Sequence, residues 1–186
     1  MCEICQEFTG KEIAMNEVMK NLLTRRSVRK FSNQPLEKEI IGDIVKAALY
    51  APSAMNRQTW KFTVVMNQEK IKELSEAIGN ELGRTGYDMY QPTVLIIPSN
   101  HRDTVWGRED NACALENIFL AAHSYGVGSV WINQLQGICD RPRIRMVLDE
   151  LGIPAEHVVY GMAAMGYPAE TANEEKARIG EVAYVE

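Results

Sequence analysis

Thr93-Val-Leu-Ile-Ile97, fenced by Pro92 and Pro98, is the stretch on which the fold turns. Its apolar residues are consecutive rather than alternating, so a strand made from them has both faces to cover. A sheet containing such a strand needs helices on each side. Working outward, Lys61-Phe-Thr-Val-Val-Met66, Ser129-Val-Trp-Ile132 and His157-Val-Val-Tyr-Gly-Met-Ala-Ala164 supply three more strands. Helical spacing predicts the intervening elements. Thr9-Gly-Lys-Glu12 matches a capping box, and Met15, Val18, Met19, Leu22 and Leu23 carry a first helix to about Thr24. Pro35 in a first turn precedes the stripe Ile40, Ile41, Ile44, Val45, Ala48 and Leu49, which stops at Pro52. Ile71, Leu74, Ile78 and Leu82 mark a third helix, with Gly79 through Gly86 as a loop. A long helix runs from about Glu109 to Tyr125 and is stopped by Gly126-Val-Gly128. Asp140 caps the last, which carries Ile144, Val147, Leu148 and Leu151. Residues from about 166 onward read as an extended polar tail. The direction of strand pairing is not readable from these patterns.

The chain has 186 residues, 46% hydrophobic and 24% charged, which suits one globular domain over residues 1–186. A net charge of -5 argues against broad nonspecific binding to nucleic acid or anionic membranes. No apolar run approaches the roughly 20 residues of a membrane helix. The N-terminus lacks a basic region followed by an apolar stretch, which points to the cytoplasm. Cys2 and Cys5 have C-x-x-C spacing, but a second pair is missing and His101, His123 and His157 are scattered. Reduced thiols without a metal are the expectation.

Two segments are dense in chemistry. Arg25, Arg26, Ser27, Arg29 and Lys30 place four cations and a hydroxyl directly after a helix. Such a group can bind phosphate through charge-assisted hydrogen bonds, and cations there also complement the helix dipole. Ala51-Pro-Ser-Ala-Met-Asn-Arg-Gln-Thr-Trp60 holds Ser53, Asn56, Arg57 and Gln58 in a helix-to-strand connection. Amide side chains match the edge of a planar ligand such as a flavin, and equally satisfy a loop's own backbone. Gly126-Val-Gly128 is no dinucleotide fingerprint, because position 131 is Trp131 and the order is helix then strand. Neither a P-loop nor a nucleophile elbow is present.

Arg25-Arg-Ser-Val-Arg-Lys-Phe31, the segment from Ala51 to Trp60, the helix from Asp110 ending at Gly128, the strand from Ser129 to Ile132 and Gly161 to Pro168 occur in an order that resembles the flavin-dependent nitroreductase family. The resemblance implies an α+β fold, a central mixed β-sheet sandwiched by helices, and two protomers intertwined as a homodimer with FMN at the subunit interface. By that resemblance Arg25, Arg26, Ser27 and Arg29 grip the cofactor, with Arg25 and Ser27 holding the ribityl phosphate and Arg29 lying near the pyrimidine edge of the flavin. Lys176 and Arg178 complete the phosphate site. Ser53, Ala54, Asn56 and Gln58 reach from the partner subunit onto the ring, and Trp131, Ile132 and Asn133 pass its other side. The implied reaction takes hydride from NADH or NADPH and passes electrons to a nitroaromatic, a quinone or a similar small acceptor. Reductive dehalogenation, flavin breakdown or flavin storage are alternatives on the same scaffold, the first two needing a lid such as Gly79 to Gln91 with Arg84, Tyr87 and Tyr90. The family often has Gln-Pro-Trp where Gln58-Thr59-Trp60 stands, and some members have Glu-Gly in place of Asn133-Gln134.

Overall fold

A computed structural model describes residues 14–170 and 177–185. Strand β1 (Trp60–Val65) pairs antiparallel with β2 (Val94–His101), and β3 (Gly128–Ile132) with the last strand of the sheet. That last stretch is divided into β4 (His157–Val158) and β5 (Met162–Gly166), both antiparallel to β2. The order across the sheet is β1-β2-β5-β3, with β4 beside the end of β2. An isolated parallel bridge between Ser27 and Ser129 makes the sheet mixed at its β3 edge.

Both faces of β2 are covered, as its composition requires. Leu95 and Ile97 belong to one core with Ile71, Leu74 and Ile78 of α3 (Gln68–Glu81) and Ile144, Val147 and Leu148 of α5 (Pro142–Glu150). Val94 and Ile96 belong to a second core with Ile41, Ile44 and Ala48 of α2 (Lys38–Leu49) and Leu115, Ile118 and Ala122 of α4 (Gly107–Ser124). Successive residues of one strand thus serve opposite cores.

Pro98 lies inside β2 instead of ending it. The register slips by one residue, from Ile96 opposite Ala163 to Asn100 opposite Val158, so Tyr160 and Gly161 together face Pro98. The His101 N–H donates to Thr59 on the β1 side, and alternation therefore aims the Pro98 nitrogen at this bulge. A residue without an N–H is tolerated where the ladder is already broken. The bulge also splits the strand expected over residues 157–164 into two.

Several boundaries differ from the sequence reading. Helix α1 (Glu17–Thr24) is capped by Asn16, whose Oδ1 accepts from Met19 N–H at 2.9 Å, and the Thr9–Glu12 box lies outside the described residues. Helix α2 begins at Lys38, so Pro35 precedes it. Gly79 is inside α3, where a Cβ would come within 2.9 Å of the Arg84 carbonyl. Asp140 caps nothing: it accepts two hydrogen bonds from Arg102, at 3.0 and 3.2 Å, and Arg141 takes the capping position.

Helix α1 is the outlier in packing. None of its residues is buried, and Val18 is 68% exposed. It touches the body through polar links, Asn21 Nδ2 to the Leu120 carbonyl at 2.9 Å and Thr24 Oγ1 with His123 Nε2 at 2.8 Å.

Candidate functional site at the end of the sheet

The cationic segment leaves α1 and is laced across the sheet's end. Val28 N–H donates to the Ser129 carbonyl at 3.0 Å, Ser32 N–H to Tyr167 at 2.8 Å, and Ala169 N–H to Lys30 at 3.0 Å. Underneath lie Gly128 and Gly166, directly opposite each other in β3 and β5. A Cβ on Gly128 would stand 2.8 Å from the Val28 Cβ, and one on Gly166 would stand 3.0 Å from the Phe31 Cβ. The segment lies this low because neither position has a side chain. The two glycines of Gly126-Val-Gly128 therefore have separate tasks. Gly126, at φ +70°, ends α4, with its own N–H on the His123 carbonyl and that of Val127 on Ala122.

Arg25 stands between two small clefts. One, of about 190 Å³, is lined by Thr24, Arg25, Arg26, His123 and Pro168 among others. The other, of about 160 Å³, is lined by Arg25, Ser27, Glu116, Phe119, Ser129 and Trp131 among others. Among the described residues none forms a hydrogen bond or ion pair with the Arg25 guanidinium or the Ser27 hydroxyl. Arg26 turns back instead, donating to the carbonyls of Leu23 at 2.6 Å and Arg25 at 3.0 Å, so it serves the end of α1. Arg29 lies 5.9 Å from the centroid of the Tyr90 ring. A wider groove of about 680 Å³, between α3 and the start of β2, includes none of these residues.

Burial first, and then the charges of Arg25 and Arg26, hold the His123 imidazole below the ordinary histidine range. Burial is the larger cause, and the two guanidinium charges beside the ring add a positive contribution of the kind an anion would seek. Its protonation is easier in the unfolded chain, so stability is lost as pH falls below about 6.5 and until the folded ring takes up its proton. Urea unfolding of His123→Gln at pH 7.5 and 5.5 should show a smaller acid-side loss than the parent; an equal loss would show that the imidazole is not held down in the folded chain.

The second segment sits at the other end of α4. A 3-10 turn, Ala54–Asn56, has Met55 and Asn56 at φ 54° and is followed by Gln58 at φ 49°. Such left-handed backbone at non-glycine residues persists only where its surroundings impose it. Ser53 Oγ accepts the Gln58 N–H at 3.2 Å, and Gln58 Nε2 donates to Asn56 Oδ1 at 2.7 Å. Ala54 N–H donates to Asp110 Oδ1 at 2.9 Å, and Thr59 Oγ1 donates to Asn100 Oδ1 at 2.6 Å. Neither Asp110 nor Asn100 was among the candidates from sequence. Each stands among other polar residues, Asp110 beside Arg108, Glu109 and Asn111 and Asn100 between Ser99 and His101, so nothing in the local pattern singled them out.

Trp131 projects from β3 with its ring 6.0 Å from that of Phe119, over Gly161, whose Cβ would overlap the indole. Ile132 is buried, whereas Asn133 is exposed in the turn that follows. Arg178 is exposed and lines neither cleft; Lys176, Cys2 and Cys5 lie outside the described residues. The segment considered as a lid is tied down: Met89 is fully buried, and Tyr87 packs on the core, which pushes its hydroxyl up to about 12. Asp88 braces the left-handed run Met89, Tyr90 and Gln91 by accepting from Tyr90 N–H at 2.9 Å. Among the described residues no cluster of three metal-binding side chains exists, no helix is long and apolar enough to cross a membrane, and Cys113 and Cys139 are free thiols.

The geometry therefore gathers Arg25, Ser27 and Trp131 at one end of α4 and the Ser53–Gln58 loop at the other. Comparison with known proteins identifies the family. A curated relative from Archaeoglobus fulgidus, named for NADH dehydrogenase and NAD(P)H nitroreductase activity, is 38% identical over 161 residues, covering 84% of this chain and 88% of its own. An NADPH-flavin oxidoreductase from Vibrio harveyi is 30% identical, over 83% of this chain and 67% of its own. The crystal structure of a nitroreductase with bound FMN from Bacteroides fragilis superposes with a TM-score of 0.86 at 38% identity, covering 92% of this chain and all (100%) of that one. The model of the Nitroreductase family matches residues 22–167, from the last turn of α1 to the strand that closes the sheet, and the chain belongs to that family.

Proposed function

We propose that the protein is an FMN-dependent oxidoreductase that uses NADH or NADPH to reduce a small acceptor such as a nitroaromatic or a quinone. The observation that carries this reading is Arg25: a half-buried guanidinium with no partner among the described residues, lining one cleft with Ser27. That donor set fits a phosphate monoester. Arg25 and Ser27 would hold the ribityl phosphate, and Lys176 and Arg178 would add their cations to it. Arg29, fixed on Tyr90, offers a cation to the pyrimidine edge, where negative charge gathers when a flavin is reduced. Trp131, Ile132 and Asn133 form one wall, and Ser53, Ala54, Asn56 and Gln58 meet the ring from the other side. Bound FMN supplies the redox chemistry, taking hydride from the pyridine nucleotide and passing electrons to the acceptor.

Two chains are needed for this arrangement. Asp110, which anchors Ala54, and His123, which sits beside Arg25, are separated by about 20 Å along α4 at the usual rise of a helix. A second copy related by a two-fold axis runs its α4 in the opposite sense and delivers its own loop to the Arg25 end. The surface supports such a homodimer, because Val18, Leu22 and Leu23 of α1, Leu49 and Tyr50 at the end of α2, and Met55 are all exposed. The free thiols of Cys113 and Cys139 suit the reducing cytoplasm.

The test is an absorption spectrum of the purified protein before and after anaerobic addition of NADH and then NADPH, with sedimentation run alongside. A yellow dimer that bleaches with one nucleotide is the expected result. Bound flavin that bleaches with neither would favour a storage protein, and a colourless monomer that refuses FMN would refute the reading.

A further inference from the structure

Asp110 is 3% exposed, a carboxylate buried in the first turn of α4. Burying such a group is unfavourable unless its hydrogen bonds are made inside the protein. Among the described residues Oδ2 has no partner, and Oδ1 has the Ala54 N–H at 2.9 Å. The carboxylate's place in the first turn of α4 puts it at the positive end of the helix dipole. The hydrogen bond it makes is to the first residue of a turn whose next residues, Met55 and Asn56, both have φ 54°. Asn56 tolerates that conformation but Met55 does not favour it, and besides the bonds inside the loop from Gln58 to Ser53 and Asn56, the Asp110 contact ties the turn to the body of the protein. The loop's far end is tied as well. Thr59 Oγ1 donates to Asn100 Oδ1 at 2.6 Å and lies 3.0 Å from Thr104 Oγ1, and Asn100 is fully buried, at 0% exposure. The two anchors flank the β2–α4 connection, Asn100 near the end of β2 and Asp110 in the first turn of α4. A proline in place of Thr59 would lack that hydroxyl.

We propose that Asp110 is a positioning residue, holding Ser53, Ala54, Asn56 and Gln58 in the shape they present to the flavin ring, with Thr59 and Asn100 fixing the opposite end of the loop. The inference rests on the flavin reading for its purpose but not for its geometry. In the dimer, Asp110 of one protomer shapes the site that holds the other's cofactor.

The experiment compares Asp110→Ala, Asp110→Asn and Ala54→Pro with the parent full-length protein, by trypsin cleavage after Arg57 in FMN-free protein and by FMN titration. Ala54→Pro removes the donated N–H without touching Asp110, and Ser53, at φ -129° and ψ 148°, already has backbone suited to precede proline. Asp110→Ala and Ala54→Pro should each speed cleavage at Arg57 and weaken FMN binding, both by about tenfold, as expected for losing one hydrogen bond to a charged group. Asp110→Asn, whose amide oxygen still accepts from Ala54, should stay within about threefold of the parent on both readouts. Unchanged cleavage and binding in the first two variants would overturn the proposal, as would faster cleavage that appears equally after Arg84, since that indicates general loosening. Should Asp110→Ala fail to fold, Ala54→Pro decides the matter alone. If the parent binds no FMN, the flavin reading falls, and the clamp stands or falls on cleavage at Arg57.

Discussion

Arg25→Ala should lower FMN affinity by roughly a hundredfold or more while leaving the unfolding midpoint within a few degrees of the parent. A guanidinium–phosphate pair makes two parallel charge-assisted hydrogen bonds, each contributing about 1.5–3 kcal/mol, and about 2.7 kcal/mol corresponds to a hundredfold in binding. The fold should tolerate the change because Arg25 gives its guanidinium to no other described residue, and the backbone bonds of Val28 and Ser32 hold the segment in place without it. Arg25→Lys should fall between the two, since an ammonium keeps the charge but not the planar fork. Fluorescence titration of apo protein with FMN measures all three. Undiminished affinity in Arg25→Ala would place the phosphate elsewhere and remove the main support for the site.

Gly128→Val should damage folding and cofactor binding together. The new side chain would start 2.8 Å from the Val28 Cβ, so either β3 or the Arg25–Phe31 segment must move. Overpacking of this kind costs about 1–3 kcal/mol, occasionally more, which lowers the midpoint by several degrees in a chain of this size. The displaced segment carries Arg25, Ser27 and Arg29, and FMN affinity should fall at least tenfold on top of the stability loss. Gly126→Ala is the control. It strains a position at φ +70° with open space around it, and should cost about 1 kcal/mol without moving the segment. Urea unfolding combined with FMN titration separates the two. Equal FMN affinity in the parent and Gly128→Val would show that the low path of the segment is irrelevant to binding.

What could be read from the sequence follows a physical pattern. The consecutive apolar residues of Thr93–Ile97 announced a strand with two covered faces, because burial on both sides leaves no polar alternation to find. The helical stripes were legible for the same reason. Positions where one element meets a distant one were not. Pro98 reads locally as a strand end, and only the shifted pairing with Val158 shows why a strand can continue through it. Asp140 has the chemistry of a cap, but Arg102 outcompetes the helix for it. Gly126 and Gly128 look alike on the chain, yet one bends backbone and the other makes room for Val28. At the site, the cationic segment stood out through its density of charge, but density alone did not show that Arg26 also donates to the carbonyls at the end of α1. Tyr90 beneath Arg29 and Asp110 beneath Ala54 depend on contacts across 61 and 56 positions of chain (29 to 90, and 54 to 110), which local pattern does not encode.

Helix α1 has no buried residue of its own. At 8 residues it is shorter than peptides that hold a helix unaided in water, so its structure depends on what covers its apolar side. In the proposed homodimer, a subunit that has not met its mate carries this helix as an uncovered apolar end, while the basic segment after it stays tied to the sheet through Val28 and Ser32. Proteases and chaperones recognise such ends. On the proposed pairing, a chain held apart from its mate should be the more readily degraded of the two states, with proteolysis starting at this helix.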